Sequence, residues 1–202
     1  MDWAELLHFW FGDLENGFAD AEHRQRWFES SASFDETCTT QFGHWLQAAT
    51  TGALADWLAA PRSCLAFIVL CDQLPRNIYR GTAEAFAWDH LALEAAREAV
   101  THGHDRELAW DERAFMYMPF EHSENLLDQH TAVGLFSHLR DESPKANKAL
   151  TGNNLRFAQQ HRDIIMKFGR FPHRNAVLGR ISSPTEQAFT QAGDGFGQAK
   201  IE

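Results

Sequence analysis

Helix-capping residues recur along most of this chain, and apolar side chains at helical spacing follow them. At the N-terminus, Asp2 precedes and Gly12 follows four apolar residues spaced i, i+3, i+4 and i+7, namely Trp3, Leu6, Leu7 and Trp10. Side chains at these intervals share one face of an α-helix, and Asp and Gly are favoured at its two ends. The pattern predicts an amphipathic helix between Asp2 and Gly12.

The same signals predict further helices down to the C-terminal region. Ser33 and Glu36 have the spacing of a capping box, and so do Ser183 and Glu186. Other helix starts are expected at Pro61, Thr82, Asp111, Ser123 and Leu155. No alternating strand pattern with hairpin turns occurs, so the chain is predicted to be all-α, with about eight helices packed as antiparallel pairs.

Two stretches are expected to interrupt the helices. Pro119 should end or kink the helix that starts at Asp111, because proline lacks the N–H that a helix interior needs. The polar stretch 140–153 should be a surface loop, and it is too short to be a convincing domain linker. We therefore predict a single helical domain over 1–192 and a flexible tail over 193–202.

The charge of the chain excludes several classes of partner. With 28 acidic and 18 basic residues the formal net charge is −10, so the protein should repel nucleic acids and anionic membrane surfaces. The longest apolar stretch, 65–71, is too short to span a bilayer, and the N-terminus lacks the basic start of a secretory signal. The three cysteines form no CxxC pair. We expect a cytoplasmic protein with no nucleic-acid or membrane partner.

Four segments gather polar and charged side chains, often beside proline: 72–80, 117–124, 161–163 and 168–180. Histidine and carboxylate side chains are the usual general acids and bases, and Arg, Asn and His suit ligand binding. The candidate acid/base residues are His122, Glu124 and His161. The candidate ligand-binding residues are Asp72, Arg76, Asn77, Arg80, Asp163, Arg170, His173, Arg174 and Asn175.

These segments resemble the signatures of an uncharacterised, largely bacterial helical family, domain of unknown function family 924. The most specific pieces are 72–77, 118–124 and 161–175, and the likeness extends from Leu7 to Phe189. The resemblance implies an irregular right-handed superhelix of antiparallel helix pairs, similar to tetratricopeptide repeat (TPR) proteins. It supplies no activity and no cofactor.

Basic residues are concentrated near the C-terminal end. Within 161–180, five of them stand against one acid, Asp163, in a chain of net charge −10: Arg162, Lys167, Arg170, Arg174 and Arg180. Arginine suits bidentate capture of carboxylate or phosphate. If Arg76, Arg80, Arg170 and Arg174 converge, they would favour a small anion. The alternative is that these arginines hold helix ends by pairing with acids such as Asp72, Glu124 and Asp163.

The histidines also allow two interpretations. His161 lies on an apolar stripe with Phe157, Ile164, Ile165 and Phe168, as a satisfied core histidine would. It could instead form an acid/base pair with His122 or Glu124 in a cleft. Ser123 is expected to be an N-cap, since serine is favoured at the start of a helix. A serine nucleophile is not expected, because no GxSxG pattern is present.

Metal and nucleotide sites are not expected. His122, Glu124, Asp128, His161 and Asp163 offer suitable donor atoms. However, side chains two residues apart point to different faces of a helix, which separates the members of each close pair. No GxGxxG or Walker pattern is present. We predict no metal and no cofactor.

Two functional hypotheses follow. In the first, the polar segments form one pocket for a small anionic ligand, and this pocket could be enzymatic. In the second, stacked helix pairs bind a peptide or protein partner, as TPR-like folds do. A purely structural role for the polar segments is the third possibility.

Overall fold

The predicted all-α fold is confirmed, with a few more helices than expected. A computed structural model describes residues 1–29 and 31–193, and these residues contain no β-strand. The α-helices are α1 (Trp3–Phe11), α2 (Ala21–Phe28), α3 (Ala32–Phe42), α4 (Trp45–Thr50), α5 (Pro61–Ile68), α6 (Leu74–Ile78), α7 (Asp89–Thr101), α8 (Trp110–His122), α9 (Leu126–Glu142), α10 (Lys148–Phe168) and α11 (Pro184–Gln191). The superhelical arrangement implied by the resemblance stays a prediction.

Several predicted helix ends are confirmed by their hydrogen bonds. The Asp2 side chain accepts from the Ala4 N–H at 2.9 Å, and α1 ends before Gly12, whose φ is 63°. Pro61 occupies the first turn of α5, where a missing N–H costs nothing. The Ser183–Glu186 capping box forms at the start of α11, and Gly169 ends α10 in the left-handed conformation. Local sequence signals therefore define these ends.

Three of the predicted capping residues, Ser33, Thr82 and Ser123, do not cap the expected helices. Ser31 rather than Ser33 caps α3, because the earlier hydroxyl accepts from the Phe34 N–H. A short 3-10 helix follows Thr82, and α7 begins only at Asp89. Asn125 rather than Ser123 caps α9, with its side chain accepting from the Leu127 N–H at 2.8 Å. For α3 and α9 a neighbouring polar residue takes the capping role, whereas Trp88, the residue before α7, makes no side-chain cap.

Pro119 does not end α8, and the predicted surface loop is mostly helical. Helix α8 continues through Pro119 to His122, and every residue from 111 to 121 is buried, so tertiary packing outweighs the lost helix hydrogen bond. Most of 140–153 is helical, since α9 extends to Glu142 and α10 begins at Lys148. The polar residues of that stretch are largely the solvent-exposed faces of two helices.

Helix α8 is central to the part of the chain that the structure describes. It packs against α5, α7, α9 and α10. Its buried polar side chains have partners: the Tyr117 hydroxyl donates to Asp105 at 2.6 Å, and Arg113 contacts Glu142 at 2.6 Å. A buried helix with satisfied polar groups is a rigid support. Its last two residues, Glu121 and His122, are therefore held firmly.

The continuous helical segment α5–α6 contains a π-helical turn, Val69–Gln73. Such turns occur inside α-helices and are frequent at functional sites. This one carries Asp72 and Gln73, both buried. Among the described helices, none is both long enough and apolar enough to cross a membrane. The predicted tail, 193–202, lies outside the described residues except for Gly193.

Replacement by alanine should have opposite effects on stability at two glycines, one within α10 and one directly after it. Gly152 is helical with open space at the Cβ position, so Gly152→Ala should raise the free energy of unfolding by about 0.5–1 kcal/mol. Gly169 has a φ of 70°, so Gly169→Ala should lower it by about 1–2 kcal/mol. Urea denaturation of both variants measures this. Shifts of the same sign would contradict the assigned end of α10.

Candidate functional site

A cavity of about 390 Å³ lies where α6, the end of α8, α10 and the segment after α10 meet. Seven of the twelve residues predicted from the sequence line it: Arg76, Asn77, Arg80, His122, His161, His173 and Arg174. The structure thus brings side chains from all four predicted polar segments to one place. What they bind stays a prediction.

A buried carboxylate orients one of the cavity histidines. His122 Nδ1 lies 2.8 and 2.9 Å from the two carboxylate oxygens of Asp72, which is fully buried. Burial alone would raise the pKa of Asp72, but the charge of Arg76 and the hydrogen bonds from His122 and Gln73 hold it well below its usual range. Because a carboxylate can only accept, Nδ1 carries the proton and Nε2 of the neutral ring carries the lone pair. Burial lowers the pKa of His122.

The second histidine is oriented by a backbone carbonyl. His161 Nδ1 lies 2.9 Å from the Phe157 carbonyl oxygen and 3.1 Å from Glu121 Oε1. A carbonyl can only accept, so Nδ1 is protonated here as well. Burial lowers the pKa of His161 to about 3. The His122 and His161 ring centroids lie 6.2 Å apart. Two imidazoles protonated at Nδ1 therefore share the cavity, with their ring planes 61° apart.

Glu121 is a carboxyl group kept neutral. It lines the cavity and is buried, and burial followed by the negative charge of Asp72 raises its pKa to about 8. At neutral pH it holds its proton and can donate a hydrogen bond. The site thus combines a charged carboxylate, Asp72, with a neutral one.

Two arginines of the cavity share one acid unequally. Arg76 makes a bidentate pair with Asp89 at 2.8 and 3.0 Å and also lies 3.3 Å from Asp72. Arg174 reaches Asp89 only at 3.5 Å. Its guanidinium lies 4.6 Å from the ring centroid of Phe86 and 4.5 Å from that of Phe171. Arg174 therefore has aromatic contacts on its faces and weak charge compensation.

The Nε atom of Arg174 is a buried donor with no hydrogen-bond partner among the described residues. Only 7% of the residue is exposed. Burial lowers the pKa of Arg174 to about 10, which leaves it charged at neutral pH. The charged guanidinium is therefore kept out of water in the cavity wall, although a cation is more stable when it is hydrated.

Four of the predicted site residues, Glu124, Asp163, Arg170 and Asn175, have structural partners away from the cavity lining. Glu124 makes a bidentate pair with Arg180 at 2.7 and 2.9 Å, and Asn175 bonds to Ser182 at 3.0 Å. Asp163 is exposed and pairs with its neighbour Arg162, and Arg170 pairs with Glu186 at 2.7 Å. Asp72, the fifth residue that does not line the cavity, lies behind His122. The structural interpretation therefore fits Arg170. The carboxyl that contacts His161 is Glu121, at 3.1 Å, rather than Glu124.

The model of a bacterial protein family of unknown function, DUF924, matches residues 6–194. The chain belongs to the DUF924 family. A solved structure of a protein of unknown function, ATU0120 from Agrobacterium tumefaciens, is similar to it, with 37% identity, a TM-score of 0.80 and coverage of 95% of this chain and 97% of that chain. No curated protein matches. The resemblance seen in the sequence is thus confirmed, and it brings no activity with it.

Sequence reasoning missed several residues of this DUF924 site. Asp89 resembles an ordinary acid in the first turn of a helix, and Glu121 was passed over although it lies between Pro119 and His122. Acidic residues are rare in buried helices, and this is the signal that could have identified Glu121. The apolar lining comes from residues that fit a core equally well: Trp27, Phe86, Met118, Phe136 and Phe157.

The five possible metal ligands considered from the sequence do not assemble. Asp128 pairs with Arg97 at 2.7 Å, Glu124 pairs with Arg180, and Asp163 is exposed. Within residues 1–29 and 31–193, no group of three or more His, Cys, Asp and Glu side chains is placed to hold a metal ion.

Glu121 should make stability fall as the pH rises from about 6.5 to 8. The folded protein keeps this proton up to about pH 8, whereas the unfolded chain releases it near 4.5. The unfolded state then binds fewer protons, so the free energy of unfolding should fall by up to about 1.4 kcal/mol per pH unit. Glu121→Gln cannot ionise and should show a flatter profile in urea denaturation.

Above about pH 6.5, a change in the free energy of unfolding can be assigned to Glu121 and not to the neighbouring histidines. The pKa values of His161 and His173 are lowered by burial to about 3, so these groups change stability only below the ordinary histidine pKa of about 6.5. Parallel profiles for the wild type and Glu121→Gln above that pH would show that Glu121 is ionised in the folded protein.

Proposed function

We propose that the cavity binds a small organic anion. The observation that carries this proposal is Arg174, a buried guanidinium in the cavity wall whose Nε has no partner among the described residues. Burial, which removes the guanidinium from water, depresses its pKa. A carboxylate or phosphate group bound at the guanidinium would supply the charge that Asp89 provides only weakly.

The rest of the ligand should be partly apolar. Phe86, Met118, Phe136 and Phe157 line the same cavity as Arg174. Binding sites for small molecules are commonly apolar with a few placed polar groups, and their volumes begin at roughly 300 Å³. A cavity of about 390 Å³ suits a metabolite-sized molecule with one anionic end.

This arrangement favours a small ligand over the peptide-binding alternative suggested by the TPR-like resemblance. A peptide in a helical groove is bound largely through side-chain pockets on an accessible surface. Arg174, with 7% exposure, is suited instead to a group small enough to enter the cavity. A purely structural role is supported for Arg170, which makes a bidentate pair with Glu186, but not for Arg174.

Benzoate and phenyl phosphate should bind, and the neutral analogue benzamide should not. The anionic group supplies the charge-assisted contact to Arg174, which is worth about 1.5–3 kcal/mol. Arg174→Gln should therefore weaken binding of both anions by about tenfold to a hundredfold, measured by isothermal titration calorimetry and by the shift in melting temperature.

Arg162→Gln is the matched control, since Arg162 pairs with Asp163 on the surface of α10 and does not line the cavity. It should bind both anions as the wild type does. Equal affinity for benzoate and benzamide, or unchanged anion binding in Arg174→Gln, would overturn the proposal. A peptide ligand displaced by neither anion would favour the binding-module alternative.

A further inference from the structure

The orientation of His122 leaves one ring nitrogen for a ligand. Asp72 accepts from Nδ1 and does not line the cavity, whereas His122 does. The two nitrogens lie on different edges of the imidazole, so the edge with Nε2 is the one available from the cavity. Both hydrogen bonds that His122 makes to described side chains use Nδ1, so Nε2 stays available. The Asp–His pair thus presents a lone pair of fixed direction.

The same cavity holds the cation that would position an anion. Arg76 bonds to Asp89, which contacts Arg174, and Arg76 also contacts Asp72 behind His122. One chain of charged contacts therefore links the base to the anion-binding arginine. Groups linked in this way hold a substrate and a base in a defined relative position, which is a large part of catalysis.

We propose that the site is catalytic, with His122 as the general base that removes a proton from a small organic anion held by Arg174. This inference rests on the proposed function. The Nε2 lone pair forms the new N–H bond, and the broken bond of the substrate leaves its electron pair on the substrate. Asp72 stays ionised, stabilises the imidazolium and acts as a positioning residue. The proton then returns to another atom of the same substrate, so the reaction is an isomerisation.

Glu121 fits the same chemistry from the other side. It lines the cavity beside His161, and burial keeps it protonated at neutral pH. A neutral carboxyl can donate a hydrogen bond to the oxygen on which negative charge develops. An acid and a base that share a cavity commonly have pKa values that their surroundings shift in opposite directions.

Other nucleophiles of the described chain are poorly placed for this role. The Ser123 hydroxyl donates to Asp128 at 2.7 Å. The three cysteines are buried, and burial raises the pKa of Cys38 to about 12 and that of Cys64 to about 11. Thiolates are the reactive form of cysteine, so these thiols should react slowly.

Alkylation by iodoacetate tests the inference without knowledge of the natural substrate. The carboxylate of the reagent should bind Arg174 and present its CH2 group to His122. The Nε2 lone pair then forms an N–C bond as the C–I bond breaks and iodide leaves. Peptide mapping by mass spectrometry should find carboxymethyl-His122, formed at least about tenfold faster than the iodoacetamide adduct, since only the anion is held in place.

Variants of Arg174 and Asp72 test the anion site and the base separately. Arg174→Gln should remove the preference for iodoacetate, and Arg162→Gln should keep it. Asp72→Asn should slow labelling about tenfold or more, because an amide that donates to Nδ1 moves the imidazole proton to Nε2. Benzoate binding and the circular dichroism spectrum report whether this variant retains its site and its fold. If Asp72→Asn fails to fold, the pH profile of labelling in the wild type replaces it.

The outcomes distinguish the two proposals. In the wild type, labelling of His122 should persist below the ordinary histidine pKa, because burial keeps this ring neutral. Benzoate binding without labelling of His122 would overturn the catalytic inference alone. Equal labelling by iodoacetate and iodoacetamide would overturn it too. Absence of both anion binding and labelling would overturn the proposed function with it.

Discussion

The site depends on the hydrogen bonds and ion pairs of the buried Asp72 carboxylate. A carboxylate removed from water costs several kcal/mol unless charged and polar partners replace the solvent. Asp72 obtains these partners from His122, Arg76 and Gln73. His122 is 50 residues away in the sequence, so the bond ties the π-helical turn to the end of α8. Neither element can shift far without leaving a buried charge unpaired.

A protein of net charge −10 can still present a local positive site, because geometry rather than formal charge decides the field inside a cavity. Two arginines and two aspartates balance formally here. Arg76 takes the close contacts of both acids, and Arg174 is left with a contact of 3.5 Å. The cluster is therefore polarised, with its positive end at Arg174. Uneven sharing of Asp89 leaves Arg174 less compensated than Arg76 without any excess of basic residues.

Much of the fold could be predicted from the sequence, because caps such as Asp2 and Ser183 act within one helical turn. Residues such as Ser33 and Ser123 failed as caps because a neighbour offered an equivalent hydrogen bond, and tertiary packing made the choice. The same limit applies to the site. The partner of Glu124 is Arg180, 56 residues away, and only the folded chain shows that this pair is structural. Asp89 and Glu121 likewise acquire their importance from burial and distant neighbours.

The π-helical turn Val69–Gln73 makes the site sensitive to chain length. A π turn amounts to one residue inserted into an α-helix, and each residue of an α-helix turns the chain by about 100°. Loss of one residue there would rotate Arg76 and Asn77 relative to α5 by about that angle, away from the cavity that they line. Single-residue deletions should therefore be tolerated in surface turns of this family far more readily than in this apolar helix.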